Sequence, residues 1–314
     1  MPVKLKSKEK NLRTSLSGII SVAAFKEVFA LCKVTVTNFI KDDSLSRGAA
    51  IAFFAVTSMA PLLLVLTAVA GMAFGETAAR GAIVTQLSGI AGPESASFFE
   101  GIIKSASVKS SGVIATLIGT VTLIITISGV FGEMQSALNA IWKVQTTDTT
   151  VSRLFKARAA SFGLVVALGF LLMTSLALSA AFAAFGEYIK LVWTGYEAVL
   201  EILNFVSSLV LIAVLFGAIF KVLPDRSLQW KDVVIGAISS ALLFSAGKYL
   251  IAAYLASSGI ATTYGAAGAL ILLLLWVYYS VQIFLLGAEF TKAYAQRFGS
   301  RKNQKPLKPK VVPL

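Results

Sequence analysis

Histidine is absent from the 314 residues, and cysteine occurs once. Without an imidazole no unperturbed side chain titrates near neutral pH. That excludes His-based acid–base catalysis and most zinc hydrolase sites. The lone thiol, Cys32, allows no internal disulfide. Charge is scarce too: Asp, Glu, Lys and Arg make up 14% of the chain, against roughly 25% in an average soluble domain. So few charges cannot cover a water-facing globule, which argues against a cytosolic enzyme. What is present in quantity is apolar: 57% of the residues, with mean hydropathy +0.82. These residues come in long blocks, which excludes disordered, collagen-like and coiled-coil chains. The net charge is +13, from 28 Lys+Arg against 15 Asp+Glu. In so apolar a chain a basic excess points to loops facing anionic lipid rather than to nucleic acid.

Six stretches, 49–74, 112–139, 159–185, 202–220, 233–256 and 266–291, are long enough to span a membrane. A helix crossing a hydrocarbon core of ~30 Å needs about 20 apolar residues. The expected fold class is all-α: a polytopic membrane protein with six transmembrane helices. Residues 1–18 form a basic head, read as flexible rather than as a cleaved leader. Residues 19–41 read as an amphipathic helix, with Lys26, Ala30, Lys33, Thr37 and Lys41 opposite Phe25, Phe29, Cys32, Val36, Phe39 and Ile40. Two placements stay open for it: in the membrane interface, or packed under the bundle. Residues 42–298 are the membrane domain, and 299–314 a basic, disordered tail. In the first outer loop, Ala79, Ile83, Leu87 and Ile90, then Phe98, Phe99, Ile102 and Ile103, predict two short external helices.

Basic residues between the spans set an orientation. The head to residue 48 has nine, the loop 140–158 four, the loop 221–232 three and the tail after 291 seven, so 23 lie on one side. Loops 75–111, 186–201 and 257–265 have three, one and none, so four lie on the other. This asymmetry predicts both termini in the cytoplasm. Trp142, Trp193 and Trp230 fall near span ends, where an aromatic belt would sit.

Three charges fall inside the spans: Glu133, Lys248 and Glu289. Lys248 lies 15 residues beyond Val233, or ~22 Å along a helix. That depth, in the outer half of the hydrocarbon, makes it a candidate anion contact on a substrate path. The structural alternative is a snorkelling lysine bonded near Tyr264. Glu133 and Glu289 fall at the inner ends of their spans, where Arg47, Lys143 and Arg226 are available. Ion pairs that lock the span ends are favoured there over a gate or proton site. Pro61, after Ser58, should kink the first span. Trp276, Tyr278, Tyr279 and Gln282 form a polar-aromatic set on the sixth. Gly236-x3-Ser240, Gly163-x3-Ala167 and Ser175-x3-Ser179-x3-Ala183 are small-residue packing motifs. The substrate-path candidates are therefore Lys248, Tyr264, Gln282, Trp276 and Ser58, and the inner-face pair or gate candidates Glu133, Glu289, Arg47 and Arg226. No catalytic residue, metal site or cofactor is expected.

Four ordered segments resemble the bacterial YihY/BrkB family of inner-membrane proteins. They are DDSLSRGAAIAFFAVTSMAPLLL at 42–64, GVFGEMQSALNAIWKV at 129–144, FKVLPDRSLQWKDVVIGA at 220–237 and YGAAGALILLLLWVYYSVQIFLLGAEFTKAYAQRFG at 264–299. The resemblance implies a six-helix inner-membrane bundle with cytoplasmic termini. It also implies a role in envelope physiology such as serum resistance, with export or lipid-related transport suggested. An old family label, tRNA-processing ribonuclease, conflicts with the lack of histidine and the scattered carboxylates. The expected function is a transporter or lipid-handling protein for an amphipathic or anionic substrate. The alternative is a non-transporting envelope scaffold or regulator. No GxxxxGK[ST] loop occurs, so transport would be secondary, facilitated or driven by a partner. The expected partners are the bilayer and anionic headgroups at the basic segments, with no specific nucleic acid. A reporter fused at Leu314 should read as cytoplasmic and one inserted within 75–111 as periplasmic. A periplasmic reading at Leu314 would overturn the charge argument.

Overall fold

The computed structural model describes residues 26–91, 100–101, 103–104, 113–144, 196–260 and 266–302. Seven helices and no strand occur among them. They are α1 (26–41), α2 (Ser44–Phe74), α3 (Glu76–Ala91), α4 (Val113–Ile141), α5 (Tyr196–Val222), α6 (Trp230–Ser257) and α7 (Ala266–Arg297). Among the described residues four segments are long and apolar enough to cross a membrane: Ser44–Leu63, Ala198–Val222, Trp230–Leu255 and Leu270–Arg297. The second predicted span, 112–139, coincides with α4. The third, 159–185, lies outside the described residues, as do Tyr264, Trp193, residues 1–25 and the tail from 303. In the first outer loop the first predicted helix is present as α3, which packs on α2.

Helix α7 is the hub. It packs along α6 and α2 and touches α4 more thinly, while α5 packs on α6 and α4 on α2. Long apolar helices pack in this way because hydrocarbon offers no partner for backbone N–H and C=O groups, which each helix satisfies internally. Contact between helices then depends on small residues. A Cβ on Gly236 of α6 would overlap the Thr291 side chain of α7, and one on Gly287 of α7 would overlap Ser240 of α6. One turn or more further along, Gly247 lies against Ile283 and Tyr279. Gly236-x3-Ser240 therefore forms one side of the α6–α7 seam. Gly129 does the same for α4 on α2, where a Cβ would come 2.7 Å from the Phe54 ring.

The main core fills the half of the bundle nearest Trp142 and Leu228. Phe216 and Phe220 of α5 stack on Phe284 of α7, with centroids 5.4–6.1 Å apart, and Phe244 of α6 meets Phe216 edge-on. A second, smaller core joins Ala52 and Leu63 of α2, Ile103, and Leu273 and Val277 of α7. Helix α2 continues unbroken through Pro61. Helix α1 buries Leu31 and Thr35 and leaves Phe29, Val36 and Ile40 exposed. Only its Phe39 reaches the main core.

The end of the bundle that carries Asp42, Lys143, Arg226, Lys292 and Arg301 is called the basic end below. Trp142 lies there but is only 3% exposed, so it is a core residue and not part of an aromatic belt. The reason is local: the loop after α5 and the chain after α7 close over it. Trp230, 60% exposed, keeps the position a belt residue would occupy. Gly236→Leu should lower the thermal midpoint of the purified protein, with a cost of about 1–3 kcal/mol expected from overpacking. Ile238→Leu, on the exposed face of the same helix, should leave it unchanged.

Candidate functional site at the basic end

The turn between α1 and α2 is tight. Asp42 N–H donates to Asn38 O at 2.8 Å, and Asp43 takes the left-handed backbone at φ 54. Asp tolerates that region better than most residues. The turn points Asp42 inward, where its side chain is 5% exposed. Helix α4 ends in a Schellman-type closure, with Val144 N–H donating to Asn139 O at 2.8 Å and Lys143 left-handed at φ 53. This geometry carries the Lys143 ammonium to Asp42 Oδ1. From α7, Lys292 Nζ lies 3.1 Å from Asp42 Oδ2 and 3.2 Å from Glu289 Oε2. Lys292 is 6% exposed and Glu289 fully buried. One carboxylate thus joins the α1–α2 turn, the end of α4, and α7.

Burial pushes the Asp42 carboxyl up. The hydrogen bond from Lys143 and the charge of Lys292 outweigh it, and the group settles below its ordinary value of 3.8.

Two further clamps brace the same end. Asn139 donates from Nδ2 to Asp225 Oδ2 at 2.8 Å and accepts from Asp225 N–H at 2.9 Å. Gln135 adds a bond to Asp225 Oδ1 at 3.1 Å, and Arg226 donates to Trp142 O at 2.9 Å. These contacts fasten the α5–α6 loop to the end of α4. After α7 the chain turns back: Arg301 N–H donates to Ala295 O at 2.9 Å. Ser300 donates from its hydroxyl and its backbone N–H to buried Asp232 at the start of α6. The Arg301 guanidinium stacks over the Trp142 ring at 5.1 Å. Arg297 pairs with Glu27 of α1.

The residues singled out in the sequence fall in three places. Glu289 is at the centre of the ionic cluster, and Arg47 borders it, donating to Asp42 O at 3.1 Å. Arg226 bonds a carbonyl, and Glu133 is half-buried on α4 with no ion pair among the described residues. Gln282 reaches across from α7 to Leu45 O of α2 at 3.3 Å. Ser58 is buried and bonds back to Ala55 O, and Trp276 packs against the second core. Lys248 is half-buried on α6, with its ammonium over the Tyr249 ring at 5.0 Å.

Sequence reasoning missed Lys292 as the partner of Glu289 and Asp42 as the second carboxylate on the same ammonium. A signal existed for Lys292, which follows Glu289 at i,i+3. For Asp42 and for the Asn139–Asp225 clamp the separations of 250 and 86 residues left none. Among the described residues no group of three or more His, Cys, Asp or Glu is placed to hold a metal ion.

A family profile described as Virulence factor BrkB matches residues 35–311, which includes the whole basic end. A UPF0761 membrane protein of Rhodospirillum centenum is 28% identical over 261 residues, covering 82% of this chain and 55% of its own length. A UPF0761 membrane protein of Klebsiella pneumoniae is 30% identical over 201 residues, 63% of this chain and 66% of its own. The UPF0761 membrane protein YihY of Salmonella arizonae is 30% identical over 178 residues, 56% and 58% of the two chains. The chain therefore spans between just over half and just under two thirds of the length of these relatives. No solved structure matches it.

The lowered Asp42 carboxyl has a consequence in acid. A carboxylate with a folded pKa below its unfolded value stabilises the fold at all pH above the unfolded value. That contribution is lost as pH falls through the folded value. The purified protein should lose stability below about pH 3.8, measured as a falling thermal midpoint. Asp42→Asn should be less stable at neutral pH, on the order of 3 kcal/mol as for other broken buried pairs, and its midpoint should fall less in acid. Equal acid sensitivity in both proteins would remove Asp42 from this role.

Proposed function

The chain belongs to the Virulence factor BrkB family, and from that premise we propose that it is a multi-pass protein of the bacterial inner membrane that moves or handles an amphipathic or anionic substrate. Its basic end faces the cytoplasm, with both termini, where its Lys and Arg side chains meet anionic headgroups. The observation that carries the reading is Lys248. The residue is half-buried on a long apolar helix, and its ammonium has no carboxylate partner among the described residues. A charge at such depth needs water, polar groups or an anion, because lipid tails supply none. The face of Tyr249 supplies part of that need. One residue away, Gly247 lets α6 approach α7 so closely that the Tyr279 hydroxyl lies beside this turn. An anionic headgroup would complete the set. Ser58, Trp276, Gln282 and Tyr264 remain candidates for the rest of the path. No catalytic step and no cofactor enter this reading.

The braced basic end supports a second reading, a non-transporting scaffold that acts through partners. One experiment separates the two. Full-length protein in vesicles carrying fluorescent phosphatidylglycerol is challenged with dithionite, which bleaches only outward-facing label. Transport or scrambling should bleach label beyond the outer-leaflet share, and Lys248→Met should slow this several-fold at normal protein levels. Bleaching no greater than in empty vesicles would favour the scaffold. Undiminished bleaching by Lys248→Met would leave Lys248 without a role.

A further inference from the structure

The seam between α2 and α7 runs outward from the ionic cluster, and three buried oxygens along it have no hydrogen-bond partner among the described residues: Ser44 Oγ, Gln282 Oε1 and Glu289 Oε1. Their register follows from two contacts. Asp42, just before α2, pairs with Lys292, and Leu45 and Gly48 of α2 meet Gln282. The helices are therefore antiparallel here, and Ser44 lies at a level between Gln282 and Glu289. Buried polar atoms without partners are rare and call for an explanation.

Consider what each oxygen lacks. Lys292 and Lys143 serve both oxygens of Asp42, whereas Lys292 serves only Oε2 of Glu289. Glu289 Oε1 and Gln282 Oε1 are acceptors, and a hydroxyl supplies a single hydrogen. The seam has oxygens in excess and hydrogens in deficit. One bare metal cation cannot serve them all, because Gln282 and Glu289 are seven residues apart, ~10 Å along the helix. Metal–oxygen bonds are far shorter, about 2.0–2.6 Å. A proton on Glu289 is the smallest change that turns an orphaned acceptor into a donor. It also matches the local charge, since two buried carboxylates face one buried ammonium.

We propose that the α2–α7 seam carries a proton-binding site in which Glu289 takes up and releases the proton, Asp42 and Lys292 hold the carboxyl in place, and Ser44 and Gln282 form the polar route beyond it. The charged groups that face Glu289 are Lys292 on α7 and Asp42 from the α1–α2 turn, and Asp42 is itself paired with Lys143 from the end of α4. Arg47 of α2 is occupied with the Asp42 carbonyl, Asp232 of α6 with Ser300, and Glu27 of α1 with Arg297. In the uptake step an O–H bond forms at Glu289 Oε1 as one O–H bond of a hydronium ion breaks. Water leaves, and the carboxylate charge cancels the incoming positive charge. Release is the reverse. Use of this proton as a coupling ion rests on the transport reading above; the site itself does not.

Infrared difference spectroscopy tests the site on the full chain in lipid nanodiscs. An acid-minus-alkaline spectrum should contain a carboxyl C=O band at the high frequency of a low-polarity environment. The band should downshift when the protein is labelled with 13C-glutamate, and it should vanish in Glu289→Gln. The isotope arm uses the wild-type chain, so misfolding of the variant cannot hide the result. Absence of the band, a band insensitive to the label, or one that follows sodium at fixed pH would each overturn the proposal. In the vesicle assay the pH dependence of bleaching should flatten in Glu289→Gln, whereas Lys248→Met should slow bleaching at every pH. Wild-type vesicles that bleach like empty ones, beside an intact infrared band, would sink the transport reading and leave the proton site standing.

Discussion

Asp42 holds a buried carboxylate at the point where the α1–α2 turn, the end of α4 and the hub helix α7 meet. Around it, charges removed from water must be neutralised by other parts of the chain. That requirement explains the unusual backbone on both sides of it. Asp43 and Lys143 each adopt a left-handed conformation that non-glycine residues seldom take. Without the first the turn would not aim Asp42 inward, and without the second Lys143 would not be delivered to it. Strain of this kind persists where surrounding contacts over-determine it. Here the surrounding contacts are three ion pairs around one carboxylate and its neighbour.

The braces at the basic end divide labour. The Asn139–Asp225 clamp satisfies backbone and side chain of the α5–α6 loop together, so that loop and the end of α4 form one unit. The Ser300–Asp232 bonds and the Arg301–Trp142 stack bring the chain after α7 under the same unit. Away from the basic end the contacts change in kind. Small residues and stacked phenylalanines replace ions, because deeper in a membrane a charge costs more than packing returns.

Much of the fold was legible because a membrane imposes one pattern strongly: a span must be long, apolar and helical. The predicted spans 49–74, 112–139, 202–220, 233–256 and 266–291 fall on α2, α4, α5, α6 and α7 for that reason. Gly236-x3-Ser240 could be read as packing because close helix approach demands small side chains at one-turn spacing. The position of Lys248 within one long apolar helix, α6, could be read from the same pattern. Partner choice could not. Glu289 reads as an ionic residue, yet Asp42, which shares Lys292 with it, lies in a turn whose left-handed geometry no periodicity reveals. Trp142 illustrates the opposite failure. Its position near a span end suggested a belt, while the clamp of Asp225 and the stacking of Arg301, both remote in sequence, enclosed it.

The α6–α7 seam has a mechanical consequence. Gly236 against Thr291, Ser240 against Gly287 and Gly247 against Tyr279 interlock like teeth of a rack. Sliding by one residue would drive a methyl or hydroxyl into backbone at every tooth. Helices α6 and α7 therefore tilt as one beam. The contact between α7 and α4 is thin by comparison.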